Sequence, residues 1–474
     1  MRALPEAFFR NSETASLRRA AVRCLEAALG AADASRAIHR SVQRQGNVIT
    51  IGGQAYPLDQ AGAVYVLGGG KAAAPMAAAL EEILGDRLTD GVVSVKYGHR
   101  VPTARVRVLE AGHPLPDAAS IAAAEAVVAL ARRAGEADLV FVLLSGGGSA
   151  LLTSPADGVT LEAKLAVTRM LLDAGAPIGD LNTVRKHLSR IKGGWLAGHI
   201  APARSVTLAL SDVLGNPLDL IASGPTVPDL TTFEDALAVL RWGEVLDGVP
   251  QAVADHLRAG AAGLVAETPK PGAPIFRHAR TIIVGDLSQA LRAAEKSARG
   301  EGFTTAVLST AVEGEAREVG AAFGRRARAA HEGRYGPLPV CLLQGGEPTV
   351  TVRGGGKGGR NQEVALGAAL EIDGLPRTLI LSAGTDGTDG PTDAAGAVVD
   401  GTTIARARGL GLDPRDHLDR NDAYPLFAAL GDLLITGPTL TNVNDLMLAL
   451  VGDVRILDRT EHHVQPKGDV VSVL

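Results

Sequence analysis

One recurring pattern organises this chain of 474 residues: apolar runs of strand length, the longest of them ending in glycine, alternate with alanine-rich segments of helical spacing. Such runs occur at 64–67, 92–95, 106–109, 139–144 and 206–210, and a second series lies at 281–285, 304–309, 340–346, 378–384 and 432–437. Alternation of this kind is the signature of βαβ units, whose fully apolar strands are buried on both faces of a mostly parallel sheet. The expected class is therefore α/β, with one sheet in each half. Before the first series, the opening ~45 residues read as helical, with Ser12 or Thr14 as caps, and the stretch 46–59 reads as a small polar hairpin. The loop at 267–280, rich in proline and basic residues, marks a break, so two domains are expected at 1–265 and 266–474.

Composition narrows the function. With 46% hydrophobic and 21% charged residues the chain can bury two cores, and 57 glycines, about 12% against a usual ~7%, are concentrated where strands end. Lys+Arg at 47 against Asp+Glu at 52 gives a net charge of −5, and aromatics are 3%. That leaves neither a basic field nor stacking platforms for nucleic acid. The two cysteines, Cys24 and Cys341, match no metal spacing, no HExxH occurs, and the start carries acids rather than the apolar core of a signal peptide. No run of about 20 uncharged apolar residues exists. A reduced, cytoplasmic protein with a small-molecule substrate is expected, and nothing in the sequence speaks against a homodimer.

Six segments can carry chemistry. In YVLGGGKAAAPMA, Gly68, Gly69 and Gly70 follow a strand, and Lys71 stands at a helix entrance. Backbone N–H groups at such a turn can seat a phosphate or carboxylate, with the lysine as a mobile cation. The same turn also reads as a tight βα connection with a solvated lysine. Its GxGxxA spelling fits a dinucleotide fingerprint, but the next strand ends in Lys96 and His99 rather than in a ribose-binding acid. In DLVFVLLSGGGSALLTSP, an apolar strand runs into Ser145, Gly146, Gly147, Gly148 and Ser149, at the edge where open α/β sheets bind ligands. Neither serine has the glycine setting of a hydrolase nucleophile elbow.

Further along, Arg185, Lys186, Arg190 and Lys192 form a short basic run, readable as a solvated face or as a source of cations for an anion. Asp212 follows a strand, where it can hold Mg²⁺, orient a hydroxyl or cap the next turn. Glu347 ends another strand, and Arg360 with Asn361 opens a helix after a glycine-rich basic loop, so that Arg360 is an anion fork in want of a partner. Asp386, Asp389 and Asp393 share a loop that lacks the twelfth-position glutamate of a calcium site, which favours binding of a substrate hydroxyl or Mg²⁺.

Taken in order, GGGKA (68–72), AGHPLPD (111–117), SGGGSALL (145–152), LNTVRKHLSRIKGG (181–194), LSDVLGNP (210–217), ASGPT (222–226), LQGGEPTVTV (343–352), GKGGRNQE (356–363) and SAGTDGTDGPTDAAG (382–396) resemble the glycerate 2-kinases with a carboxyl-terminal MOFRL domain. The resemblance implies a Rossmann-like first domain with helices on both faces of a mostly parallel sheet, a second α/β domain, and an active site in the cleft between them. It implies ATP-dependent, Mg²⁺-assisted conversion of D-glycerate to 2-phosphoglycerate, with Lys71 and Arg360 at the catalytic centre. On that reading the turns at 68–70 and 146–148, with Ser145 and Ser149, hold the ATP phosphates, and Asp212 or Asp386 takes the proton from the 2-hydroxyl or binds the metal. Arg185, Lys192, Glu347, Asn361 and Asp389 are then expected at the substrate. The competing expectation is an NAD(P)-dependent hydroxypyruvate reductase, a label that some members of the family carry.

Overall fold

The computed structural model describes residues 6–9 and 14–452. Residues 42–57 form three short antiparallel strands, β1 (Val42–Gln45), β2 (Val48–Ile51) and β3 (Gln54–Pro57). The first large sheet contains β4 (Val64–Gly69), β5 (Asp90–Lys96), β6 (Val106–Ala111), β7 (Leu139–Leu144), β8 (Arg204–Leu210) and β9 (Ala279–Gly285). Its order is β6-β5-β4-β7-β8-β9 and every pairing is parallel. Every residue of the two central strands, β4 and β7, is buried, as their unbroken apolar sequences require. Both end at the same edge, with Gly69 in register with Leu144, so the two glycine turns that follow lie side by side.

The second sheet contains β10 (Thr304–Val312), β11 (Val340–Gly346), β12 (Thr378–Gly384), β13 (Gly396–Asp400), β14 (Leu433–Leu434) and β15 (Asp445–Val451), in the order β10-β11-β15-β12-β13-β14. Only β10 and β11 run parallel; the other pairs are antiparallel. Its central strand β15 places Leu446, Leu448 and Leu450 in one core and Met447, Ala449 and Val451 in another, so this sheet too is covered on both faces.

Three expectations are corrected here. The strand at 281–285 belongs to the first sheet as the edge neighbour of β8, while the helix Ala15–Ala32 packs on the helix Leu287–Gly300 and on β12 and β15. Sheet membership therefore does not follow a cut at 265/266, because burial of an apolar helix stripe is decided by which face is open. The strand expected at 432–437 is two residues long, and β13 and β15 are additional. Finally, Thr14 stands at the N-cap of the first helix without capping it, since its hydroxyl donates to Asp400 Oδ2 at 3.0 Å; Ser12 lies outside the described residues. Arg18 on the same helix is 1% exposed and reaches both Asp400 and Asp432 at 2.9 Å, which ties the chain's first helix to the second sheet.

Candidate functional site

The turn after β4 is closed by the protein itself. Gly70 N–H donates to the Ser94 carbonyl at 3.0 Å, Lys71 N–H to the Gly146 carbonyl at 2.8 Å, and Ala72 N–H to Ser145 Oγ at 3.0 Å. A Cβ at Gly70, whose φ is +144°, would lie 2.2 Å from Ser145 Oγ. Gly68, Gly69 and Gly70 therefore let β4 and its turn approach β7, and they do not offer an N–H cradle. Ser145 is buried and serves as the brace between the turns. The N–H groups of Gly70, Lys71 and Ala72 are thus satisfied inside the protein and have nothing left for a phosphate, while Ser145 Oγ acts here as an acceptor.

The turn after β7 differs. Gly146 and Gly147 N–H groups meet no acceptor among the described residues, whereas Gly148 N–H bonds back to the Ser145 carbonyl. Ser149 shares a 2.7 Å hydrogen bond with the Ser223 hydroxyl, which in turn donates to Asn182.

The first of these turns leads into a cleft of about 710 Å³. The first half contributes Lys71, and the second contributes Glu347, Arg360, Asp386 and Asn442, so the two cations singled out in the sequence line the same space. Arg360 is already held. Its Nε lies 2.7 Å from Asp445 Oδ2 and its Nη1 2.9 Å from Glu347 Oε1, and these carboxylates outweigh the effect of burial and raise its pKa. The fork thus has two partners of unequal kind, since Asp445 is 2% exposed and Glu347 is 48% exposed. Burial pushes the Asp445 carboxyl up to about 7, against the pull of Arg360. Lys71 stands opposite, with no acceptor for its ammonium among the described residues.

Asp212 follows β8 and packs against Gly146 so closely that a Cβ there would sit 1.9 Å from Asp212 Oδ2. Asn442 donates to the same oxygen at 3.1 Å, across from the second half of the chain. Burial pushes the Asp212 carboxyl up to about 6; Lys71 pulls it down, while Glu347 and Asp386 push it further up. Asp386 accepts from the N–H and hydroxyl of Thr388 at 3.0 and 3.1 Å.

Asn361 and Asp389 are structural braces. The Asp389 carboxylate accepts from the N–H groups of Asn361 and Gln362 at 3.0 and 2.9 Å and caps the helix Arg360–Glu371, while Asn361 Oδ1 accepts from Ser382. Capping and burial occupy much of the hydrogen-bonding capacity of both expected substrate residues, although Asp389 also borders the cleft. Arg185 and Lys192 do not reach the cleft; they line a second cavity of about 440 Å³ on the far side of Gly147, together with His113, Ser149 and Lys164. Asn442, Asp445 and Lys164 went unnoticed in the sequence. The first two flank the start of an apolar run in TNVNDLMLALV, and that polar edge was the available signal.

Residues 20–258 match a family described as a domain of unknown function (DUF4147), and residues 340–445 match the MOFRL family. The chain is 43% identical over 441 residues to a protein of Pyrococcus horikoshii named glycerate 2-kinase, covering 93% of this chain and 98% of that one. It is 46% identical over 395 residues to an Agrobacterium vitis protein named putative hydroxypyruvate reductase, covering 82% and 100%. A crystal structure of glycerate kinase from Thermotoga maritima, 40% identical, superimposes with a TM-score of 0.83 and covers 92% of this chain and 99% of that one.

Proposed function

Since the chain belongs to the glycerate 2-kinases of the MOFRL family, we propose that it transfers the terminal phosphoryl group of ATP to the 2-hydroxyl of D-glycerate, with Lys71, Asp212 and Arg360 around the reacting atoms. Phosphorylation of glycerate is its activity, and it is a phosphotransferase. The observation that carries the residue roles is the meeting of an uncommitted ammonium, Lys71, with a held guanidinium, Arg360, and a carboxyl poised near neutrality, Asp212, around one turn and cleft.

Phosphoryl transfer depends on positioning and on neutralising charge, with little covalent work for the protein. Lys71 meets the transferring phosphoryl group, since nothing in the protein competes for it. Gly146 and Gly147 offer their N–H groups to phosphate oxygens. Asp212 takes the proton from the 2-hydroxyl, and its raised pKa suits a general base working near neutral pH. Arg360 keeps its buried Asp445 arm and exchanges the exposed Glu347 arm for the glycerate carboxylate or the phosphoryl oxygens.

No group of three metal-ligating side chains occurs among the described residues. Mg²⁺ carried by a nucleotide needs only one or two protein carboxylates, and Asp386 on the cleft wall fits that role. When bound, the ion would spread and neutralise the charge of the phosphates.

The reductase reading has a specific obstacle: the fingerprint-like turn that follows a strand of the parallel sheet, 68–70, spends its N–H groups inside the protein, which leaves none for a pyrophosphate. No helix among the described residues is long and apolar enough to cross a membrane, and Cys24 and Cys341 are free and buried. A cytoplasmic setting, where ATP is plentiful and thiols stay reduced, suits both.

NMR of the product formed from ATP, Mg²⁺ and D-glycerate tests the proposal. We expect 2-phosphoglycerate and ADP. Formation of 3-phosphoglycerate overturns the choice of hydroxyl, and loss of nicotinamide absorbance with hydroxypyruvate and NADH or NADPH overturns the kinase reading in favour of the reductase.

A further inference from the structure

The cavity beyond Gly147 carries an unbalanced charge. Lys164 on the helix Leu161–Asp173, Arg185 on the helix Ile178–His187, and Lys192 line it together. Lys164 is 6% and Lys192 2% exposed. Each ammonium has three donors. Lys164 gives two to the carbonyls of Arg185 and Leu188, at 3.2 and 2.7 Å, and Lys192 gives two to those of Ser149 and Leu152, at 2.8 and 3.3 Å. The Arg185 guanidinium makes no hydrogen bond or ion pair with any described residue, and burial alone lowers its pKa. None of the three has a carboxylate partner, whereas Lys186, next to Arg185 in the chain and 1% exposed, has both Asp219 and Asp229 at 3.1 and 3.3 Å. Burying cations is costly unless an anion compensates. The fold supplies one for Lys186 and withholds one here, so the missing counter-charge belongs to a ligand. Burial and mutual repulsion act in the same direction, pushing Lys164 down to about 7 and Lys192 well below its ordinary value.

The rest of the lining mixes polar side chains, His113, Ser149, Thr153 and Thr168, with apolar ones. Leu165 lines the cavity, and Leu115 and Leu172 stand at its rim, 62% and 55% exposed. A volume of about 440 Å³ lies in the range that suits a drug-sized ligand. The single carboxylate of glycerate would offset one of three cations. Gly147 forms the boundary with the catalytic cleft: a Cβ there would lie 2.8 Å from His113 Cδ2 and 3.4 Å from Lys71 Cγ.

We propose that this cavity is the nucleotide site, with the polyphosphate directed at Lys164, Arg185 and Lys192 and the base resting on Leu115, Leu165 and Leu172, so that the terminal phosphoryl group reaches Lys71 past Gly147. The proposal rests on the phosphotransferase reading above and moves Arg185 and Lys192 from the glycerate to the nucleotide. The first half of the chain then holds the donor, and the second half closes over the acceptor.

The test is calorimetric titration of the full-length protein with ATP in the absence of glycerate, for wild type, Arg185→Gln and Thr168→Trp. Arg185 has no bonded partner to lose, and tryptophan at 168 fills the cavity from the helix that lines it. We expect each variant to weaken ATP binding about tenfold or more, as loss of a charge-assisted contact does, while the KM for glycerate stays within twofold. Tripolyphosphate should displace ATP from wild type. Unchanged ATP affinity in both variants overturns the proposal, and so does a raised KM for glycerate at unchanged ATP affinity. Wild type that binds ATP in this way yet makes no phosphoglycerate refutes the kinase reading and leaves the nucleotide site standing.

Discussion

Replacing Gly146 by alanine isolates the position of one carboxylate. The new Cβ would lie 1.9 Å from Asp212 Oδ2 and 2.6 Å from its Cγ, whereas a carbon–oxygen contact is comfortable at about 3.4 Å. The carboxylate must therefore retreat by about 1.5 Å. The atoms in the way are the end of a side chain, so the relief is a rotation that gives up the 3.1 Å bond from Asn442, at a cost of about 1 kcal/mol in stability. Displacing a catalytic group by about 1 Å costs roughly 10²-fold in rate. Gly146→Ala should accordingly lower kcat by about 10²-fold or more, measured as ADP release at saturating ATP and glycerate, while urea denaturation shows a loss of about 1–2 kcal/mol. Asp212→Asn should cost about 10²–10⁴-fold. If both act through the same carboxylate, the double variant will be no slower than Asp212→Asn alone. A kcat for Gly146→Ala within threefold of wild type, or fully additive losses in the double variant, would refute the reasoning.

Two further expectations follow from the same structure. Burial holds the Asp212 carboxyl up at about 6, so the base form is lost as pH falls through that value; kcat/KM should drop about tenfold per pH unit below it, and an acid limb that persists unchanged in Asp212→Asn would assign it to another group. Arg18→Met leaves Asp400 and Asp432 buried without the guanidinium that bridges them, which should cost about 3 kcal/mol or more in urea unfolding; a loss below about 1 kcal/mol would show that this network does not dock the first helix.

Much of the site could be read along the chain because its elements are local. A strand ending in glycine before a helix places Lys71 and Gly146 at one sheet edge whatever the remainder does, Asp212 follows the end of a neighbouring strand, and Arg360 stands at a helix entrance after a glycine-rich loop. Local pattern could not tell which donors and acceptors stay free. The turns at 68–70 and 146–148 look alike in sequence, yet the first is filled by Ser94, Ser145 and Gly146 and the second is open at Gly146 and Gly147. Asp386 and Asp389 lie three residues apart on one loop and both border the cleft, yet the second commits its carboxylate to capping a helix. Asp445 was missed because LMLALV, a short run of good helix formers, does not announce a strand, still less the centre of a sheet.

The amino-acid sequence alone determined the α/β class, the glycine turns at strand ends and the kinds of charged group available, since apolar periodicity and turn chemistry are set by neighbours in the chain. Tertiary structure decided which sheet took β9 and the first helix, which carboxylates hold Arg360, and that buried Lys164 and Lys192 and half-buried Arg185 gather beside Gly147 without a carboxylate partner. Those outcomes depend on contacts between residues tens to hundreds of positions apart, where burial and hydrogen-bond pairing fix the chemistry left to each side chain.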